Sequence, residues 1–441
     1  MAGEDALRKT SWRLLPFLGL CYGVSYIDRV NISFAALQMN RDLHFSGAVY
    51  GLGAGLFFLS YAALEVPSNI LLVRFGARRW IARIMLTWGA LATGMLFVKT
   101  PVQFYVMRFA LGAAEAGFFP GVIFYLMQWF PAEFRGRAIS RFYLAFPLSS
   151  AVMGALAGVL LAFQGRLDLA GWQWLFLIEG LPAIVLGMVM WIWLPDTPAR
   201  AAWLTPAERD WMAHRLAADR ERLGETSDRE TSDQSVWRVL AIPVVWRLGL
   251  CNFCIMGMNY AFSLSAPALL VQRTGWTAQR VGFMMSAVAL AGAVTMVLNG
   301  WHSDHSRERH LHVAIPLALW AAAVIALGLS HVPLIAVSAY GVMFLCSCAI
   351  QAAFWTIPSD ALHGRSAAIG VAAIGCIGMT GAFVGPYAWG LAMDATGDYR
   401  AGLLALALPA LMAAAGVLTA RSGVGSSRFL ASRRRHHSAA R

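Results

Sequence analysis

Charged side chains are scarce in this chain. They make up 13% of its 441 residues, whereas an ordinary soluble domain carries about 25%. Lysine is the rarest of them, since only Lys9 and Lys99 occur and neither lies in a glycine-rich loop. A phosphate-binding P-loop needs a lysine directly after a glycine. The shortage of lysine therefore argues against a nucleotide-driven pump.

Sequence signatures of common hydrolases are also missing. The chain contains neither an HExxH nor a GxSxG motif, so it lacks the usual starting points for a metalloprotease or a serine hydrolase. All six cysteines fall in apolar stretches, and Cys251-x-x-Cys254 is interpreted as two small buried residues rather than a redox pair. We predict no enzyme activity, no metal and no cofactor. Four histidines are interpreted as part of a cytosolic loop: His302, His305, His310 and His312.

Long apolar runs dominate what is present. Hydrophobic residues make up 59% of the chain, and runs long enough to cross a bilayer recur along its whole length. No cleavable signal peptide is expected, because the first eleven residues are polar and the apolar run after them is too long. We predict twelve membrane spans, each with bounds good to a few residues: 13–37, 47–72, 81–98, 102–126, 139–163, 172–194, 243–271, 279–299, 311–330, 332–355, 366–392 and 400–421.

The distribution of basic residues predicts the orientation of these spans. Of the 35 lysines and arginines, 27 fall in the two termini and the even-numbered loops, and 6 fall in the odd-numbered loops. The positive-inside rule then places both termini in the cytoplasm of a protein of the inner (plasma) membrane. The net charge of +12 is explained by this topology, so we expect the lipid bilayer and no nucleic acid as a partner.

The spans fall into two halves around a polar segment. We predict an N-terminal six-helix bundle (1–194), a cytosolic central loop (195–240), a C-terminal six-helix bundle (241–421) and a basic cytosolic tail (422–441). Within the central loop, the pattern from Thr205 to Glu208 predicts the start of an amphipathic helix.

The two halves also repeat each other. Gly136-Arg137-Ala138 follows span four, and Gly364-Arg365 follows span ten at an offset of about 228 residues. The loops after spans two and eight correspond at a similar offset. We therefore predict an all-α membrane protein with the major facilitator fold, whose two parallel six-helix halves hold a site near the bilayer midplane.

Spans one and four each carry two charged residues well inside their apolar stretch. Asp28 and Arg29 are adjacent in span one, and Arg108 and Glu115 lie seven residues apart in span four. Seven residues correspond to about 10.5 Å of helix, so the last two share one side. A charge at membrane depth costs about 3 kcal/mol. We interpret the four as the lining of a cavity for a charged solute; an ion pair that only joins helices is the alternative. We take Asp28 and Glu115 as the deepest acids.

Three strings of the first half resemble a known family. They are YIDRVNISFAA (26–36), EVPSNILLVRFGARRWIARIMLTWG (65–89) and RFALGAAEAGFFPGVIFYLMQWFPAEFRGRA (108–138). They resemble the anion:cation symporter family of the major facilitator superfamily, whose bacterial members include tartrate, phthalate, hydroxyphenylacetate and sugar-acid permeases. The likeness covers nearly the whole chain and is weaker in the second half. It implies that the protein imports a small organic carboxylate by proton symport, as a monomer with alternating access.

The resemblance also assigns roles to residues. It implies that Asp28 and Glu115 are proton-coupling sites and that Arg29 binds the substrate carboxylate, while Arg108 is expected to hold the acids in a charge network. Pocket residues are expected to be aromatic or polar, and packing is the alternative for each of them: Tyr26, Asn31, Tyr61, Asn259, Gln351 and Trp355. Loop residues are expected to form gates by pairing charges, with simple positive-inside topology as the alternative: Arg74, Gly76, Arg78, Glu133, Arg137, Asp304, Arg309 and Arg365.

One departure from the superfamily loop pattern concerns its aspartate. Val73 stands where the first loop copy would carry that acid, so we expect the partner of the first copy to come from elsewhere, such as Glu133. The main rival function is a drug or metabolite efflux antiporter of the same fold. Efflux members usually carry a Gly-Pro motif in span five, whereas here Pro147 has no glycine before it. The buried arginines also favour an anion over a lipophilic cation.

Overall fold

Local capping accounts for where some of the helices begin and end. Thr100 accepts a hydrogen bond on Oγ1 from the Gln103 backbone N–H at 3.2 Å, and Pro101 takes the first helical position, where no N–H is needed. At a C-terminal helix end, Gly275 adopts a left-handed φ of 68°, and its N–H donates to the carbonyl of Val271. Such glycines terminate helices without steric cost.

The structure is a computed structural model that describes residues 2–222, 239–361 and 365–438. In these ranges the regular secondary structure is helical. The α-helices are α1 (Ala2–Asp42), α2 (Gly47–Phe75), α3 (Ala77–Gly94), α4 (Pro101–Glu115), α5 (Phe118–Met127), α6 (Ala132–Tyr143), α7 (Ala145–Leu161), α8 (Gly171–Trp193), α9 (Pro206–Arg222), α10 (Pro243–Thr274), α11 (Ala278–Ser306), α12 (Leu311–Leu329), α13 (Pro333–Phe354), α14 (Thr356–Ala361), α15 (Arg365–Thr396) and α16 (Tyr399–Ser438).

Eleven of the twelve predicted spans coincide with stretches of described helix that are long and apolar enough to cross a membrane. Three of these stretches run through two successive helices, α4 with α5, α6 with α7, and α13 with α14. The first predicted span lies in α1, which has 41 residues but is not among the eleven. Its charged and polar residues Asp28, Arg29 and Asn31 lower its mean hydropathy.

The chain divides into two compact units. One comprises Met1–Asp233 with Thr277–Ala287, and the other comprises Gln234–Trp276 with Val288–Arg441. In the first unit, α1 packs against α7 and α8, α3 packs against α8, and α2 packs against α4. In the second unit, α10 packs against α15 and α16, and α12 packs against α13 and α16. The domain boundaries drawn from the sequence stay predictions.

The fourth span is broken directly after Glu115. Ala116 has an extended ψ of 130°, and Gly117 is left-handed with a φ of 86°. A side chain on Gly117 would also collide with Ser68, whose Oγ would lie 2.5 Å from the added Cβ. Non-helical backbone at membrane depth is tolerated where it is buried in protein or lines a cavity. The break therefore places Glu115 at the C-terminal end of α4.

Helices α2 and α4 approach each other closely at Gly112. A Cβ on Gly112 would overlap the backbone carbonyl oxygen of Phe57 and the hydroxyl of Ser60. Because a backbone atom cannot move aside as a flexible side chain can, only glycine fits there without a shift of one helix. This contact brings the helix that carries Arg108 and Glu115 against α2.

We expect the substitution Gly112→Ala to destabilise the protein, because overpacking a close helix contact typically costs about 1–3 kcal/mol. Gly19→Ala is the matched control, since nothing lies within 4 Å of a Cβ at that position. Thermal unfolding of both variants in the same detergent provides the measurement. Equal unfolding temperatures for the two variants would show that the helices are not packed this closely.

Helix α9 is attached to the membrane helices by ion pairs. The predicted cap is present, since Thr205 N–H donates to Glu208 Oε2 at 2.8 Å and Glu208 N–H donates to Thr205 Oγ1 at 3.3 Å. Lys9 of α1 donates to Glu208 Oε1 at 2.7 Å, and Arg215 donates to Glu133 of α6 at 2.8 Å. The Lys9 contact, with the Thr205 N–H, lowers the pKa of Glu208. Its stabilising contribution is thus present at neutral pH and is lost as the pH falls through that lowered pKa.

Candidate functional site

A buried ion pair joins α1 to the broken end of α4. Arg29 Nε lies 2.8 Å from Glu115 Oε1, and the hydroxyl of Ser25 donates to the same oxygen at 2.6 Å. Glu115 is completely buried, while 7% of Arg29 remains exposed. The guanidinium of Arg29 also lies 4.7 Å from the centre of the Tyr61 ring, a cation–π distance. Arg29 is thus held on one side by an acid and on another by an aromatic face.

Arg108 interacts with Asp28 and Glu115 through its charge rather than through hydrogen bonds. All of its side chain is buried, and among the described residues none of its three guanidinium nitrogens has a hydrogen-bond partner. Its guanidinium lies 4.8 Å from the centre of the Phe57 ring. Arg108 therefore does not hold Glu115 directly, as the shared helix face suggested. The separation along α4 is too long for contact, and Arg29 reaches Glu115 from α1 instead.

Asp28 is held by neutral donors rather than by an arginine. Trp88 of α3 donates its indole N–H to Asp28 Oδ2 at 2.8 Å, and Asn31 donates its amide to Oδ1 at 3.2 Å. Asp28 is 1% exposed. The two adjacent charges of span one therefore face different surroundings: Arg29 faces α2 and α4, whereas Asp28 faces α3.

A third acid of the same region escaped the sequence interpretation. Glu179 lies in the middle of α8 and is 3% exposed, so Asp28 and Glu115 are not the only deeply buried acids. It interacts with Asn31 and Asp28 of α1. The signal was available in the sequence, since Glu179 interrupts the apolar string LFLIEGLP of span six, and a charged residue within a span is a functional candidate by default.

The expected pocket residues of the first unit separate into two groups. Tyr61 lies against Arg29, and Tyr26 is half-buried with its ring edge on Phe146, at a centroid distance of 4.5 Å. Asn31 is completely buried and bonds Asp28. Asn31 thus lies with Asp28 among the helices, and its role in the pocket stays a prediction.

The expected residues of the second unit lie on α10 and α13. The hydroxyl of Ser347 donates to Asn259 Oδ1 at 2.6 Å. Gln351 and Trp355 follow Ser347 at intervals of four residues, so the three share one face of the helical stretch. All of them are half-buried. Ser347 was not predicted, although its spacing from Gln351 could have indicated it.

The acid beside the first loop copy is not the one that we expected. Arg78 lies 3.3 Å from Asp196, which follows α8, whereas Glu133 pairs with Arg215 of α9. Gly76 takes a φ of 88° between α2 and α3, and Arg74 stacks on Phe75. Asp196 therefore supplies the charge that Val73 does not, because the chain returns to this face after α8.

The residues of the second loop copy pair with one another. Arg309 lies 2.5 Å from Asp304 and donates to Ser303 Oγ at 3.0 Å. Arg137 of α6 is exposed and borders a cavity of about 310 Å³. The side chain of Arg365 lies outside the described residues. Whether these residues gate anything stays a prediction.

The histidine cluster has a local explanation. His302 Nδ1 and His312 Nε2 lie 2.6 Å apart, and Glu308 lies beside His312. In the ranges that the structure describes, no group of three or more His, Cys, Asp and Glu residues is arranged to hold a metal ion.

Comparison with known proteins identifies the group to which these buried charges belong. The sequence profile of the Major Facilitator Superfamily matches residues 18–386. The chain belongs to the Major Facilitator Superfamily. It is therefore a multi-pass membrane transporter and not an enzyme, which confirms the fold class and the general function expected from the sequence.

Relatives within the superfamily carry different names. An Agrobacterium vitis protein described as a tartrate transporter is 43% identical over 400 residues, which cover 90% of this chain and 87% of that protein. A quinolone resistance transporter of Acinetobacter baumannii is 37% identical over 405 residues, which cover 92% of this chain and 92% of that protein.

A solved structure of the superfamily shares the fold. The inward-facing, unoccupied form of a bacterial homologue of the human lysosomal transporter Spinster superposes with a TM-score of 0.76. It covers 93% of this chain and 96% of its own, at 18% identity.

Proposed function

We propose that this major facilitator protein imports a small organic carboxylate together with protons. The observation that carries the proposal is the buried Arg29–Glu115 ion pair, at 2.8 Å. A cation held by an acid is available to an anion only when that acid gives it up. Protonation of Glu115 removes its charge, and Arg29 can then bind a carboxylate from the substrate.

The chemistry of arginine suits this exchange. Its planar guanidinium binds a carboxylate through two parallel hydrogen bonds and stays charged when buried. The ring of Tyr61 keeps the guanidinium in place while its anionic partner changes. Arg29 retains 7% of its surface exposed whereas Arg108 retains none, and this favours Arg29 over Arg108 for substrate contact.

The charges of the site explain why substrate and proton would travel together. Arg29 and Arg108 carry two positive charges, and Asp28 and Glu115 balance them when both are ionised. One proton on Glu115 leaves a net charge of +1, which a monocarboxylate restores to zero. A second proton on Asp28 would accommodate a dicarboxylate. Each ligand lowers the cost of binding the other, and this coupling is reciprocal.

The class of carboxylate follows from the relatives and from the lining. The tartrate relative favours a hydroxy-dicarboxylate, and the aromatic residues Tyr26 and Tyr61 would also suit a sugar acid or an aromatic acid. In the second unit, Asn259, Gln351 and Trp355 stay candidates for substrate contact, because they are polar or aromatic, half-buried and at membrane depth.

A second candidate function is efflux of a drug or metabolite in exchange for protons. It is favoured by the quinolone resistance relative. The two functions differ in the charge of the substrate and in the direction of proton movement relative to it. The buried arginines support the anion, because a lipophilic cation would meet Arg29 with like charge.

We expect uptake of one carboxylate from a panel of radiolabelled tartrate, gluconate and phthalate by proteoliposomes that contain the purified protein and have an acidic exterior. The neutral diamide of tartrate should not compete with the labelled acid, since it cannot pair with Arg29. Protein-free liposomes control for passive entry. Movement of a labelled fluoroquinolone against the proton gradient, without movement of tartrate, gluconate or phthalate, would establish the efflux function instead.

The cellular placement follows from the distribution of basic residues. We place the protein in the inner membrane as a monomer with both termini in the cytoplasm, because 27 of its 35 lysines and arginines fall on the side of the termini. In this orientation α9 and the acid Asp196 also lie on the cytoplasmic side.

A further inference from the structure

Three buried oxygen atoms next to Asp28 lack a hydrogen-bond donor. Glu179 Oε1, Glu179 Oε2 and Asn31 Oδ1 have no hydrogen-bond partner among the described residues. Glu179 is 3% exposed and Asn31 is completely buried. All three atoms are acceptors if Glu179 is ionised. Buried acceptors without a donor are rare in folded proteins, so we expect a proton on one of these groups to provide a hydrogen-bond donor.

The Asn31 amide does not supply that donor. One of its two N–H groups donates to Asp28 Oδ1 at 3.2 Å, the other forms no hydrogen bond with either Glu179 oxygen, and Asn31 Oδ1 can only accept. A proton on Glu179 would turn the carboxyl into a donor. It could then bond Asn31 Oδ1 and satisfy both residues at once.

The charged surroundings of Glu179 point the same way. Helix α7, which packs against α8, contains no ionisable residue. The arginines of α3 are Arg78, Arg79 and Arg83. All three lie in the first two turns of α3, near the C-terminal end of α8, where Arg78 donates to the Leu194 carbonyl. On α1, the charge that acts on Glu179 is the like charge of Asp28. Two carboxylates that share a site do not both ionise readily.

We propose that Glu179 is a third proton-binding site, which stays protonated and donates to Asn31 Oδ1. Asn31 is then fixed with its nitrogen toward Asp28, and Asp28 receives donors from both Asn31 and Trp88. Glu179 is in this sense a positioning residue. It acts on Asp28 through an amide that would otherwise be able to turn its oxygen toward the acid. The effect on transport rests on the proton symport proposed above, but the protonation state does not.

Infrared spectroscopy of the reconstituted protein at neutral pH tests the protonation state directly. The C=O stretching band of a protonated carboxylic acid is separate from the bands of ionised carboxylates. We expect Glu179→Gln to remove intensity from that band, whereas Glu4→Gln, at an exposed position, should not. Asn31→Leu should keep the band but shift it, because the O–H loses its acceptor. An unchanged band in the Glu179→Gln variant would overturn the proposal.

Transport measurements separate positioning from a merely structural role. In the Glu179→Gln variant the new side-chain amide can still donate to Asn31, so gradient-driven uptake should stay within about twofold of the wild-type rate. The leucine of Glu179→Leu cannot donate, and Asn31 can then turn its oxygen toward Asp28. For that variant we expect the pH of half-maximal uptake to rise by about one unit.

The outcomes of the transport arm are also decisive. Loss of accumulation in Glu179→Gln would show that the residue must release its proton, and an unaltered pH profile in Glu179→Leu would show that it does not act on Asp28. Either result overturns the proposal. If no variant or wild-type protein moves a carboxylate, the symport function fails, while the infrared result still decides the state of Glu179.

Discussion

The substitution Glu115→Gln should abolish accumulation of substrate driven by a pH gradient, while exchange of substrate across the membrane continues. Glutamine resembles a protonated glutamate in shape and cannot ionise. Arg29 then loses the partner that lies 2.8 Å from its Nε and stays available to the substrate carboxylate. The variant should therefore bind substrate and carry it in both directions, but its transport should not be coupled to proton movement.

The expected loss in accumulation is large. One coupled proton supports up to about tenfold accumulation for each pH unit of gradient, because one pH unit corresponds to about 1.36 kcal/mol. In the Glu115→Gln variant the internal and external concentrations should become equal. Counterflow, in which unlabelled internal substrate drives uptake of label, should persist near the wild-type rate. Normal accumulation in this variant would remove Glu115 from the coupling mechanism.

Replacing Arg29 with lysine should weaken substrate binding by tenfold or more. An ammonium group cannot reproduce the two parallel hydrogen bonds of a guanidinium, and loss of a charge-assisted hydrogen bond typically costs about 1.5–3 kcal/mol. The Tyr61 ring would also lose the flat cation that stacks on it. Binding of the labelled acid to purified protein, measured at the acidic pH that drives uptake, provides the dissociation constants.

The matched control for this experiment is Arg41→Lys. Arg41 lies on the same helix, is exposed, and pairs only loosely with Asp42, at 3.7 Å. This variant should bind substrate as the wild type does. If Arg29→Lys also binds normally, the carboxylate is held elsewhere, and Arg108 becomes the alternative because its guanidinium has no hydrogen-bond partner among the described residues.

The membrane spans were predictable because hydropathy depends on composition alone. A span of about 20 apolar residues leaves a signal that no neighbour can reverse. Span one shows the limit of that signal, since Asp28, Arg29 and Asn31 make α1 less apolar than the other eleven stretches. The same charges that obscure the span in a hydropathy count mark it as functional.

The partners of the buried charges could not be predicted in the same way. Helical spacing placed Arg108 and Glu115 on one side of α4, but it could not show that Arg29 would reach Glu115 first. That outcome depends on the break at Gly117 and on the close approach at Gly112, both of which are tertiary contacts. Asp196 rather than Glu133 lies beside Arg78, and this pairing also depends on tertiary contacts.

Glu179, unlike these partners, could have been predicted from the sequence as a charged residue within a span. Its position inside span six was visible in the sequence, and the rule that flagged Asp28 applies to it equally. What the sequence could not show is that Asn31 and Asp28 of α1 lie beside it. Packing of α8 against α1 and α3 creates that group, in which Asn31 interacts with both Asp28 and Glu179.

The direction in which protons move during substrate entry distinguishes symport from antiport. Proteoliposomes with an enclosed pH-sensitive dye and no initial gradient receive the substrate acid from outside, as its fully neutralised salt. Symport predicts that the lumen becomes acidic as substrate enters, and that neither Glu115→Gln proteoliposomes nor protein-free liposomes show the change. An alkaline lumen would establish antiport, and substrate entry without any pH change would show that the ion pair of Arg29 and Glu115 does not couple the two.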